Sequence, residues 1–140
     1  MAFSGYLIKV SNSENGTYAE IPLKYIRAET YSVTPNQRME WSAERDINGY
    51  LHRHVVANKP PKIEFETPLM TNTEIAALNS LINFEVAAER RLWVQFYDPG
   101  SNAYKKHPCY MPDIEYKIRN VDAANNVVNY EQIRYAFIGY

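Results

Sequence analysis

Cysteine is all but missing from this chain: among 140 residues only Cys109 carries a thiol. A lone thiol excludes an internal disulfide and a cysteine-built zinc site, and it suits a protein made in a reducing compartment. Glycine is scarce and scattered, with five in all; none is grouped ahead of a helix, which removes a phosphate-cradling loop and with it nucleotide hydrolysis. Charge of one sign is lacking too. Fifteen Lys and Arg stand against sixteen Asp and Glu, a net charge of −1, so no field draws the chain toward nucleic acid or an anionic bilayer. No apolar run approaches the roughly 20 residues a membrane helix needs, and the basic start of an export signal is absent. The expectation is a soluble protein with no membrane anchor and no specific nucleic-acid recognition. Its length suits a single domain spanning 1–140.

Tyrosine is abundant, at twelve residues. It suits half-buried strands, where the ring packs and the hydroxyl stays wet, and it is enriched in binding surfaces. Alternation of period two recurs along the chain and predicts strands. It places Tyr6, Ile8 and Val10 on one face of "YLIKV", Ile21, Leu23 and Tyr25 on one face of "IPLKY", and Tyr31 with Val33 in "AETYSVT". "KIEFET" turns Ile63 and Phe65 inward. "RLWVQFY" sets Leu92, Val94 and Phe96 against Trp93 and Tyr97, with "AYKKHPCYM" as its partner across the "DPGSN" loop. "DIEYKI" alternates again, "RNVDAANN" reads as a loop, and "VVNYEQIRYAFIGY" reads as one long C-terminal strand. The period changes once. "TNTE" forms a capping box on Thr71 and Glu74, and Ile75, Leu78 and Leu81 or Ile82 then share a helical face, so one helix is predicted over about residues 72–83. Whether "NFEVAAERR" prolongs it stays open, because Ala87 to Arg90 favour helix while Asn83 and Val86 weaken it. The fold expected is mainly β, a sandwich or barrel with one packed helix.

A projecting β-hairpin is predicted over about residues 38–57. Asn48-Gly49 is a strong two-residue turn signal, and that turn would pair Arg45 with His52 and Glu44 with Arg53. Both faces of the tip are then polar or mixed, so the hairpin extends past its own core or lies on another molecule. Its charges form an interfacial ladder, and the predicted contact residues are Glu44, Arg45, Asp46, Asn48, Gly49, Tyr50 and Arg53.

Catalytic and metal chemistry finds weak footing. His52 and His54 share a strand face and His107 could add a third metal ligand, but nothing completes the set. Cys109 beside His107 lacks an orienting third group, and a small packed side chain is its expected role. Glu64, Glu66, Asp113 and Glu115 fall on the outward phase of strands and read as a solvated face. Tyr104, Tyr110 and Tyr116 with Lys105 and Lys106 would make a stacking platform for single strands only with a basic excess. No catalytic residue, cofactor or metal is expected.

Taken in order, "IPLKYIRAETYSVTP", "RDINGYLHRHVVANKPPKIEFETPLMTNTEIAALNSLI" and "VQFYDPGSNAYKKHPCYMPDIEY" resemble small siphophage and prophage tail proteins over about residues 20–118. The likeness rests on the hairpin Arg45, Asp46, Gly49, Leu51, Arg53, then Lys62 and Ile63, then the helix start Leu69, Thr71, Glu74, then Tyr97, Asp98, Pro99 and Tyr110. The "NFEVAAERR" connection is longer than that pattern, and "YMPDIEY" lacks its glycine after the tyrosine. The resemblance implies a structural virion component, a tube, tail-end hub or baseplate-ring subunit of the tail-tube type of fold. Its partners would be copies of itself in a ring, with a hexamer as one closure, and neighbouring tail proteins. It would be assembled in the bacterial host cytoplasm and reside in the virion tail. The alternative is a small non-catalytic β-sandwich module that binds a glycan or a protein through its aromatic residues.

Overall fold

Residues 3–83 and 90–140 are described by a computed structural model. The alternating segments become strands where both their apolar phase and a partner are present. β1 (Ile8–Ser11) buries Ile8 and Val10, and a short β2 (Ala19–Glu20) returns beside it. β3 (Ser32–Thr34) follows, then the exposed pair β4 (Glu40–Arg45) and β5 (Leu51–Val55). β6 (Lys62–Glu66) buries Ile63 and Phe65, and β7 (Met70–Thr71) leads directly into helix α1 (Asn72–Ile82). β8 (Arg91–Asp98) and β9 (Ala103–Tyr110) form the longest hairpin, and β10 (Ile118–Asp122), β11 (Val127–Tyr130) and β12 (Arg134–Gly139) complete the chain.

A seven-stranded sheet in the order β2-β1-β8-β9-β12-β6-β3 is the main layer, joined by a three-stranded sheet β10-β11-β7 and the separate pair β4-β5. The pairings are antiparallel. Since side chains alternate across a sheet, the register that sets Ile8 against Phe96 and Leu92 against Cys109 gathers every apolar side chain of one phase on one face. Against that face pack Ile75, Leu78 and Ile82 of α1 and Met70 of β7, giving one continuous core. The protein is therefore mainly β, with a sandwich-like layering and, among the described residues, one α-helix.

The helix begins as expected. The Thr71 side chain accepts from the Glu74 amide while the Glu74 carboxylate accepts from the Thr71 amide, which satisfies two donors that a helix start otherwise leaves unpaired. It ends at Asn83, which caps it in the left-handed conformation at φ 54° and ψ 45°; asparagine tolerates that region better than most residues. Residues 84–89 of the "NFEVAAERR" connection lie outside the described residues. Ile82 fills the buried position of the last turn and Leu81 is half-buried at the edge of the core.

Four expectations fail. "IPLKY" is no strand: after Ile21, Pro22 opens a single 3-10 turn over Leu23–Tyr25 that buries Tyr25 and leaves Leu23 exposed. Proline has no N–H to give a ladder, which fits the chain leaving the sheet there. "DIEYKI" forms no strand before Ile118, although the Glu131 amide donates to the Lys117 carbonyl at 2.8 Å, and the strand lies further on, in Ile118–Asp122, reaching into what reads as a loop. The C-terminal run is two strands in different sheets, β11 pairing with β10 and β7, and β12 with β6 and β9. Between them Ile133 is buried, and its amide donates to the Thr67 hydroxyl at 3.0 Å. The tip of the hairpin has another register, described next.

Candidate subunit-contact surface

The β4-β5 ribbon grows from the edge of the main sheet. β3 pairs with β6 through Ser32–Glu64 and Thr34–Lys62, the Gln37 amide donates to the Pro60 carbonyl at 3.0 Å, and the Val56 amide donates to the Met39 carbonyl at 2.7 Å. Beyond that stem no described residue covers the ribbon on either side: every residue from 38 to 55 is exposed. Six residues of strand extend roughly 20 Å at about 3.4 Å each. A projecting hairpin over the predicted span is therefore present.

Its turn differs from expectation. A two-residue type I′ loop needs positive φ at both central positions, and here only Gly49 has it, at φ 84°. The Gly49 amide donates to the Asp46 carbonyl at 3.0 Å and the Asp46 amide to the Tyr50 carbonyl at 2.9 Å, which makes a three-residue loop of Ile47, Asn48 and Gly49. Asp46 is the cause. One of its carboxylate oxygens accepts from the Asn48 and Tyr50 amides at 2.9 and 3.0 Å, and the other meets His52 Nε2 at 2.9 Å. The hydrogen bond from His52 and then those from the backbone amides hold the Asp46 carboxyl below the usual aspartate range.

A one-residue change of register moves a whole strand's side chains to the other face. Arg45 consequently lies opposite Leu51, Glu44 opposite His52 and Ala43 opposite Arg53, in place of the expected Arg45–His52 and Glu44–Arg53 pairs. Arg53 instead forms an ion pair with Glu40, and the Arg45 guanidinium donates to the Gly49 carbonyl at 2.8 Å. Cross-strand partners share a face, so Arg45, Leu51, Arg53, Val55 and Ala43 line one side while Glu44, His52 and His54 line the other, where Trp41 meets the His54 ring edge-on at 5.5 Å. Sequence reading overlooked how much apolar surface this arm shows. Met39, Trp41, Ile47, Tyr50, Leu51 and Val55 are all exposed, Trp41 at 76% and Ile47 at 100%. Hydropathy alone reveals such residues, but only the absence of a covering layer shows that they stay bare.

Of the other candidates, His52 and His54 are held by Asp46 and Trp41, whereas His107 lies on the main sheet with its Nε2 at 3.0 Å from the Tyr140 carbonyl oxygen. Among the described residues no three His, Cys, Asp or Glu side chains are grouped as a metal site would need. Cys109 is fully buried opposite Leu92, and burial pushes its thiol up to about 12. That holds it in the unreactive protonated form. Glu64 pairs with Arg134 and Glu66 faces Arg27 at 3.9 Å, while Asp113 and Glu115 stand on the unpaired segment near Arg90 and Lys117. The four carboxylates thus form no pair. A cleft of about 320 Å³ lies beside Thr30, Glu64, Phe65, Glu66 and Arg134, where Glu64 pairs with Arg134 and Glu66 stands 3.9 Å from Arg27 outside the lining. Tyr104 stacks on Tyr6 at 4.3 Å, Tyr110 meets Tyr140, and Tyr116 meets Tyr130. Lys105 is bound to Asp98 and Lys106 lies over Tyr18, so these residues make no common platform.

Asp98 matters structurally in a way the strand pattern conceals. It is 2% exposed at the end of β8 and accepts from Lys105 at 2.8 Å, the Ser101 hydroxyl at 2.9 Å and the Gly100 amide at 2.9 Å. Burial opposes its ionisation, yet the Lys105 ammonium and these donors prevail and hold its carboxyl below the usual range. With a folded pKa under the unfolded value of about 3.9, its contribution is complete above about pH 5 and is lost as pH falls through the folded pKa. Asp98→Asn should therefore flatten the acid limb of the stability curve. Urea midpoints of both proteins at about pH 6 and about pH 3 measure this; an equal acid loss in the variant would remove Asp98 from the account.

Residues 1–140 match the model of a family described as Family of unknown function (DUF6711). No curated protein matches the chain.

Proposed function

The chain belongs to the family of unknown function DUF6711 along its whole length, and from its exposed arm we propose that it is a structural, non-catalytic subunit of a bacteriophage or prophage-derived tail. It would join or form a ring in the tube, tail-end hub or baseplate through contacts between subunits and with neighbouring tail proteins, after assembly in the host cytoplasm. The observation that carries this reading is the β4-β5 arm. A lone two-stranded hairpin is marginal in water, and this one leaves six large apolar side chains bare while adding nothing to its own core. Selection for stability alone does not account for such an element; an intermolecular contact does, since exposed apolar patches mark interaction sites. The ordered likeness to small tail proteins gives that contact its setting. A net charge of only −1 agrees with it.

Electron microscopy and mass measurement of the intact purified protein, alone and with the products of adjacent genes, test the proposal. Closed rings or stoichiometric complexes with tail proteins are the expected result. A protein that stays monomeric with every neighbour, and whose gene stands apart from tape-measure and tube genes, would sink it.

A further inference from the structure

We infer that Asn48-Gly49 is a self-modifying site, at which the asparagine cyclises and hydrolyses to aspartate and isoaspartate, altering the tip of the arm. The chain holds two Asn-Gly pairs, Asn15-Gly16 and Asn48-Gly49, and both occupy the last two positions of a turn closed by an amide-to-carbonyl bond, Gly16 to Ser13 and Gly49 to Asp46. Their surroundings differ. A methyl group placed on Gly16 would run into the Ser13 hydroxyl and stand 3.0 Å from that of Ser11, whereas one placed on Gly49 would meet nothing within 4 Å. The space beside the Gly49 Cα is therefore open, with the Gly49 N–H held only by the Asp46 carbonyl at 3.0 Å, and the Asn48 side chain, at the surface, has no hydrogen-bond partner among the described residues to restrain it. Asn102 and Asn126 also sit in exposed turns, but Ala103 and Val127 follow them, and a Cβ on the following residue hinders approach to its nitrogen.

The step is balanced without any cofactor. Solvent base removes the Gly49 amide proton, the nitrogen attacks the Asn48 side-chain carbonyl carbon to form a carbon–nitrogen bond, and the carbon–NH2 bond breaks as the conjugate acid returns the proton to the leaving nitrogen, releasing ammonia. Water then opens the succinimide at one carbonyl or the other. The isoaspartate product carries an extra methylene in the main chain. In a three-residue loop whose register is held by the Asp46–Tyr50 and Gly49–Asp46 bonds, that lengthening moves the tip. The inference concerns the free chain and does not depend on the tail reading.

The test is incubation of the intact folded protein at mildly alkaline pH, with peptide mass spectrometry following exchange of the amide NH2 for hydroxyl and fragmentation separating isoaspartate from aspartate. Asn48 should convert faster than Asn15, and roughly ten-fold or more faster than Asn102 and Asn126, about 1.4 kcal/mol in barrier. In strong urea the two Asn-Gly pairs should converge, because the folded surroundings are what separates them. Asn48→Gln should abolish the change at that peptide and leave Asn15 as it was. Equal or faster conversion of Asn15 in the folded protein, or an Asn48 peptide that persists unmodified, would overturn the assignment.

Discussion

Leu78→Ala should destabilise the protein by about 2–5 kcal/mol, the range for emptying a packed leucine site. Leu78 is fully buried at the centre of the α1 stripe, between Ile75 and Ile82. The helix is fixed around it on two sides. Its start is tied to β7 and hence to β11, where the Val128 amide donates to the Asn72 side chain at 3.3 Å, and further along the Tyr135 hydroxyl donates to Asn79 at 2.8 Å. A helix pinned in this way cannot slide to fill the vacated volume, so the cavity term persists on top of the lost transfer energy. Chemical denaturation of both proteins measures it. An unchanged midpoint would mean that α1 is peripheral to the core.

The second large effect is expected in assembly. Reversing Arg45 and Arg53 together to glutamate should abolish ring or complex formation while leaving the remainder of the chain folded. Both side chains stand on the face of the arm that also carries Leu51 and Val55, so two new acids would occupy the proposed contact. Arg53→Glu also places a carboxylate against Glu40, its present ion-pair partner. Exposed substitutions outside a core usually change stability by under about 0.5 kcal/mol, so the main sheet should retain its thermal transition. Sedimentation of the variant beside the unaltered protein reads assembly, and denaturation reads the fold. Normal assembly would remove this face of the arm from the contact.

Local chemistry explains which elements were legible beforehand. The α1 start requires only Thr71 and Glu74, three residues apart, and its apolar stripe repeats within two turns. The alternation in Lys62–Glu66 and Arg91–Asp98 needs no knowledge of a partner, because either neighbour leaves Ile63, Phe65, Leu92, Val94 and Phe96 on one face. The arm was legible from Asn48-Gly49 and from two flanking segments that lack a buried phase. The cross-strand partners within it were not legible, because Asp46 binding to the Asn48 and Tyr50 amides lengthens the turn by one residue.

By itself the sequence determined the mainly β character, the helix over Asn72–Ile82 with its capped start and the exposed hairpin, since periods, caps and composition act over a few residues. Only the tertiary structure decided where strands end and which sheet receives them. The stretch from Val127 to Gly139 alternates almost without pause, yet it divides because β7 lies beside its first part and β6 and β9 beside its second, while Ile133 turns into the core and its amide meets Thr67, 66 residues away. Alternation tells a strand which side faces inward; the partner that satisfies its backbone groups comes from distant chain, and no local pattern encodes it.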